Sequence, residues 1–171
     1  MPSRYYLLLY NLLSLLAWIY LTAHVSSNTI KSLTEASAAE DESAALRTEI
    51  SIVTAVQSVA ALEILHAALG LVRASPGAAA LQIGGRNLVL WTVVRRFPEQ
   101  FIPLENRHGS GEYGPAALRA CLLAWGCSDI LRYALFVAVS LCRRAPAWLR
   151  WLRFVALSFL RISSFPFILL S

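Results

Sequence analysis

The chain reads as an all-α, polytopic membrane helix bundle, and three observations carry that reading. Hydrophobic residues make up 57% of the 171 positions and charged residues only 15%, against roughly 25% charge in an ordinary soluble domain. The mean hydropathy is +0.58. The charges gather at the edges of apolar runs long enough to cross a hydrocarbon core of about 30 Å. A soluble globule of this size still exposes about a third of its unfolded surface, and so little charge could not cover it. Disorder is excluded by the same composition.

Tyr5 to Ala23 carries no charge and follows Arg4. It exceeds the roughly 7 to 15 apolar residues of a signal peptide, so it is expected as a retained first membrane helix. Tyr5, Tyr6 and Tyr10 near one end, with Trp18 and Tyr20 near the other, suit rings that prefer the bilayer interface. His24 to Glu49 then shifts to Ser, Thr and Ala, with Glu35, Glu40, Asp41, Glu42 and Glu49 against Lys31 and Arg47. That composition predicts a solvated loop with room for a short surface helix over Ala36 to Leu46.

Ile50 to Val72 is the second apolar run, interrupted by Gln57, Glu63 and His66. Ser75-Pro76-Gly77 is a turn signal, and so short a connection predicts that Ala78 to Val94 returns antiparallel as a helical hairpin. Arg95 to Pro115 is rich in Pro and Gly and predicts a second polar loop. Ala116 to Leu141 is the fourth helix, ended by Arg143, Arg144 and Pro146. A short, poorly formed fifth follows over Trp148 to Leu170, divided by Arg150, Arg153 and Arg161 and lacking an amide proton at Pro166. All of this is expected to form one transmembrane domain over residues 1–171. A cytoplasmic N-terminus would place Arg4, Arg73 and the cluster Arg143, Arg144, Arg150 and Arg153 on the same side.

The formal charge is +5 and all but one of the 15 cations are Arg. Because they flank apolar runs and no basic and aromatic groove is interleaved, the expected partner is the lipid bilayer and not nucleic acid. Cys121, Cys127 and Cys142 form no CxxC pair and are odd in number, so neither a zinc site nor a disulfide framework is indicated. The chain has no HExxH, GxSxG or GxxxxGK[ST] motif.

Glu63, Arg86, Asp129 and Arg132 fall inside apolar runs, where an unpaired charge costs about 2.5 to 3.5 kcal/mol on insertion scales. They sum to zero, which predicts that they face one another or a wet cavity. Glu63 with His66, and Gln82 with Arg86, share helix faces at i, i+3 and i, i+4, and Asp129, Arg132 and Tyr133 do likewise on the fourth helix. Such a set either lines a polar pocket with a carboxylate and an imidazole for proton transfer, or supplies interhelical hydrogen bonds that hold the bundle together. Spacing does not choose between them.

Several segments resemble the very-long-chain 3-hydroxyacyl-CoA dehydratase family, also called protein tyrosine phosphatase-like. They are YLLLYNLLSLLAWIYL from Tyr5, LEILHAALGLVRAS from Leu62, LQIGGRNLVLW from Leu81, LLAWGCSDILRY from Leu122 and WLRWLRF from Trp148. The resemblance covers Tyr5 to Phe154 in the family's order. It implies a multi-pass endoplasmic reticulum protein of the fatty-acid elongation cycle that removes water from a long-chain 3-hydroxyacyl-CoA to give the trans-2-enoyl-CoA. No metal or redox cofactor is implied. It also implies Glu63, His66, Arg86, Asp129, Arg132 and Tyr133 as residues lining the acyl cavity. Arg143, Arg144, Arg150 and Arg153 are left either to grip CoA phosphates or to anchor in headgroups.

The family's acid/base pair is a Tyr and a Glu in a Tyr-Pro-x-Gly-x-x-x-Glu motif at the fifth helix, and here the sequence departs from it. Extending WLRWLRF without a gap puts the Tyr position on Arg161 and the Glu position on Ile168. Neither can do that chemistry. The expectation is a divergent tail over 155–171, from a truncated or mis-spliced product, with activity impaired. A noncatalytic partner packing against other fatty-acid elongation enzymes is the alternative. A small transporter or channel would need paired half-repeats that the chain lacks.

Overall fold

The structure is a computed structural model that describes residues 2–34, 39–72, 75–102, 114–142 and 151. Among the described residues five α-helices follow in order: α1 (Pro2–Thr34), α2 (Ala39–Ala60), α3 (Leu62–Ala68), α4 (Pro76–Val89) and α5 (Gly114–Cys142). A π-helical turn over Leu90–Val94 prolongs α4, and a single 3-10 turn covers Pro98–Gln100. Among the described residues there is no strand. Three stretches among the described residues are long and apolar enough to cross a membrane: Arg4–Thr34, Asp41–Ala68 and Gly114–Cys142. They contain the first and last of the four expected spans and overlap the second over Ile50 to Ala68. The remaining span, Ala78 to Val94, is helical as expected, but its α4 segment has only 14 residues before the π turn begins, short of a bilayer crossing.

The polar stretch His24 to Glu49 is a correction to the expected loop, because all its described residues are helical. Its hydroxyls explain why. Thr29 and Thr34 donate to the carbonyls of Val25 and Ile30, and Thr48 to that of Ala44, each four residues back. A hydroxyl satisfied on its own helix hides its polarity and needs no loop to hydrate it. The helical ends also differ from expectation. The second run stops at Ala68 rather than Val72, because Gly70 takes φ 68°. There Gly70 N–H donates to Ala67 O and Leu71 N–H to His66 O, which is a Schellman cap. The Pro76-Gly77 pair is the first turn of α4, not a turn before it. Ser75 Oγ accepts from Ala78 N–H at 3.4 Å as the N-cap, and Pro76 occupies the position where no amide proton is missed. At the second loop, α5 begins at Gly114, where a Cβ would collide with the Gln100 carbonyl.

The chain divides into two compact units, residues 1–22 with 121–171, and residues 23–120. In the first, the described parts of α1 and α5 run antiparallel. Arg4 Nε donates to the Ser140 carbonyl at 3.2 Å, and its Nη2 donates to the same oxygen, capping a helix end whose carbonyls have no intrahelical donor. At the other end of this pair Gly126 lies against Thr22. Trp18, Leu21, Leu122 and Tyr133 are buried, while Leu9, Leu13 and Leu16 form an exposed apolar face suited to lipid. In the second unit, α2 and α3 pack against α4 and the π turn as the expected antiparallel hairpin. Leu46, Ile50, Val53, Gln57 and Ala60 form the buried stripe of α2.

The expected fifth helix over 148–170 and the tail 155–171 lie outside the described residues, Trp151 excepted. The close approach at Gly126 gives a direct check. A Cβ there would overlap the Thr22 side chain, so Gly126→Ala is expected to destabilise by about 1 to 3 kcal/mol. Thr22→Ala should recover part of that loss in a double-mutant cycle followed by unfolding in detergent.

Candidate functional site in the helical core

Three polar centres lie within these units. The first was not foreseen. Glu49, at 0% exposure, accepts from Asn28 Nδ2 at 2.8 Å and from Arg119 Nε at 3.3 Å. Arg119, itself 4% exposed, also donates through Nη1 to Glu42 at 2.9 Å and to Ser32 Oγ at 3.2 Å. His24 Nδ1 stands 3.3 Å from Asn28 Nδ2. Three helices thus meet on one guanidinium, whose planar fork suits two carboxylates better than an ammonium would. Glu42 and Glu49 belong to the stretch expected as a solvated loop. The signal was present: Glu42 and Glu49 are seven apart, and Asn28 and Ser32 four apart, so each pair shares a face.

The second centre is the seam between α2 and α4. Asn87 Nδ2 donates to the Gln57 backbone carbonyl at 3.1 Å and to Ile83 O at 3.2 Å. Trp91 Nε1 donates to Ser58 Oγ at 3.3 Å, and Arg95 lies over the Trp91 ring at 4.7 Å. Gln57 is 1% exposed, and its Oε1 has no hydrogen-bond partner among the described residues. An orphan acceptor of this kind costs about 1 to 3 kcal/mol. Glu63 and His66 follow on α3, Glu63 half-buried and His66 buried, and Arg86 is half-buried on α4. The antiparallel register set by Gln57 and Asn87 places Arg86 at the level of Gln57 and Ser58, and Gln82 nearer Glu63.

The third centre lies in the other unit. Asp129, at 0% exposure, and Arg132 form an ion pair with Nε to Oδ1 at 3.0 Å on one face of α5. The contact is one of charge, without the alignment of a hydrogen bond. The Arg132 guanidinium lies 4.5 Å from the Tyr133 ring centroid, and Tyr133 meets Phe136 edge-on at 6.4 Å. The expected pairing of intramembrane charges is therefore found for Asp129 with Arg132, on the same helix. Glu63, His66 and Arg86 belong to one unit and Asp129, Arg132 and Tyr133 to the other. Arg143, Arg144, Arg150, Arg153, Arg161 and Ile168 lie outside the described residues. Among the described residues no three His, Cys, Asp or Glu side chains converge as metal ligands.

Membrane-length helices that turn carboxylates and guanidinium groups inward define a multi-pass membrane protein of all-α architecture. The chain belongs to the protein tyrosine phosphatase-like protein family, PTPLA, whose model matches residues 57–163. That match begins at Gln57 and runs past Phe154. Similar curated proteins include the very-long-chain (3R)-3-hydroxyacyl-CoA dehydratase PASTICCINO 2B of Oryza sativa subsp. japonica, 33% identical over 98 residues, 57% of this chain and 39% of that protein. Another is the probable very-long-chain (3R)-3-hydroxyacyl-CoA dehydratase of Schizosaccharomyces pombe, 30% identical over 149 residues, 87% of this chain and 62% of the relative. The Caenorhabditis elegans dehydratase hpo-8 is 26% identical over 154 residues, 90% of this chain and 62% of its own length. The chain thus spans between 39% and 62% of these relatives. No solved structure matches it.

Removing one member of a buried ion pair leaves an uncompensated charge and costs about 3 to 5 kcal/mol, whereas replacing both by apolar groups is often close to neutral. Arg119→Met is therefore expected to destabilise strongly. Adding Glu49→Leu to Arg119→Met should restore part of the loss, as read from unfolding midpoints in detergent.

Proposed function

We propose that this chain acts on long-chain 3-hydroxyacyl-CoA thioesters in the endoplasmic reticulum membrane, as a carbon–oxygen lyase of the fatty-acid elongation cycle. The observation that carries the reading is membership of the PTPLA family together with relatives named as very-long-chain 3-hydroxyacyl-CoA dehydratases. The helical core supports it. An acyl chain needs apolar surroundings, and its hydroxyl and thioester need a few placed polar groups, which the α2–α4 seam and the Asp129, Arg132 and Tyr133 centre supply in separate units. Dehydration takes a proton from the carbon alpha to the thioester and delivers one to the departing hydroxyl. In this reading Glu63 and His66 are the side chains of the seam able to exchange a proton, and Arg86 is the cation able to oppose developing negative charge.

Arg161 and Ile168 stand where the resemblance places the family's Tyr and Glu. General acid–base groups contribute about 10²- to 10⁴-fold to such reactions. Membranes carrying this chain are accordingly expected to convert a long-chain 3-hydroxyacyl-CoA to the enoyl-CoA at least about a hundredfold more slowly than membranes carrying the fission yeast relative. Equal rates would refute the assigned impairment, and failure to bind any acyl-CoA would refute the functional reading. Any residual turnover is expected to fall further in Glu63→Gln and His66→Ala.

A further inference from the structure

Three departures from regularity lie along the packed α2 and α4 helices. On α2, the N–H groups of Ala61 and Ile64 donate three residues back, to Ser58 and Ala61, so the helix tightens into 3-10 turns just after Gln57. On the facing helix, Arg95 N–H donates five residues back to Leu90, so α4 widens into a π turn just after Asn87. Both deviations are uncommon within helices, and π turns gather at functional sites. Between them lies Gln57, whose carboxamide oxygen is enclosed and without a partner. The polar neighbours are engaged elsewhere: Asn87 Nδ2 with two backbone carbonyls and Trp91 Nε1 with Ser58. In a hydrocarbon setting an acceptor has no water to turn to, so its missing donor has to come from within the protein or from a ligand.

The geometry points to Gln57 as the residue that recognises the hydroxyl of the acyl substrate, with its Oε1 accepting a hydrogen bond from the substrate O–H. This rests on the functional reading given above and goes beyond it by naming a specificity-determining side chain. The chemistry fits. The 3-hydroxyl is the one hydrogen-bond donor near the thioester end of a 3-hydroxyacyl chain, and neither the saturated acyl-CoA nor the enoyl-CoA carries it. An acceptor that is idle without ligand would therefore favour substrate over product. Gln57 acts by positioning and takes no proton.

The test is equilibrium binding to the full chain in lipid nanodiscs, comparing a long-chain 3-hydroxyacyl-CoA with the acyl-CoA of equal length that lacks the hydroxyl. The wild-type chain is expected to prefer the hydroxylated ligand by roughly tenfold, the ratio that one net hydrogen bond supplies. In Gln57→Leu, similar in volume, the preference should fall to near unity. The acyl-CoA without the hydroxyl should bind the variant as it binds wild type, and the variant's thermal midpoint should be unchanged or higher, since the orphan acceptor is gone. A purely structural role would move the midpoint and leave the ratio alone. An unchanged ratio in the variant overturns the inference. So does collapse of the variant, which would make the carboxamide a packing partner of the seam. A wild-type chain that binds both thioesters equally overturns it while leaving the dehydratase reading in place, and binding of neither overturns both.

Discussion

The constraint behind the rest of this structure is that hydrocarbon offers polar groups no solvent. Each charge carried into an apolar span must find its counter-charge inside the protein, and the arrangement around Arg119 shows the consequence. One guanidinium holds Glu49 at 3.3 Å and Glu42 at 2.9 Å, and Glu49 in turn fixes Asn28. These contacts tie α1, α2 and α5 together across sequence separations of up to 87 residues. The Asp129–Arg132 pair applies the same rule within one helix. Ion pairs of this kind are weak evidence of stability relative to an apolar core. Their contribution is to fix which faces of the helices meet, as single polar residues fix register in coiled coils.

Within the unit that contains α2, α3 and α4, polar satisfaction is nearly complete, and that makes its exception informative. Asn87, Trp91, Thr54 and Arg119 all have identified partners, whereas Gln57 Oε1 has none among the described residues. The helices flanking it are also the two that leave regular α geometry. Irregular backbone on either side of an unmet acceptor is what a site for a small polar group calls for. The Schellman cap at Gly70 and the Ser75 N-cap end the helices on either side cleanly. They hold the hairpin in the register that brings Gln57 against Asn87.

The candidate site was legible in part. Apolar runs broken by Glu63, His66, Arg86, Asp129 and Arg132 marked intramembrane polar centres, and the two helices carrying Glu63 and Arg86 do form the predicted hairpin. The network of Glu42, Glu49 and Arg119 was hidden by composition. Acidic residues among Ser, Thr and Ala look solvated when read along the chain, and only the helical repeat shows that they share a face. Gln57 looked like a mere interruption, since nothing local distinguishes a glutamine whose carboxamide is paired from one whose oxygen is left waiting.

The sequence by itself determined the bilayer as solvent, the all-α class, the turn between α3 and α4, and the family, because these follow from composition, run length and short-range order. Tertiary structure decided that the described residues of His24 to Glu49 continue as helix, that Glu49 is buried against a side chain 70 residues away, and that Gln57 Oε1 meets no donor among the described residues. The physical reason is that spacing fixes the face of a helix on which a side chain lies. The partner on the opposite surface is set only when the helices pack.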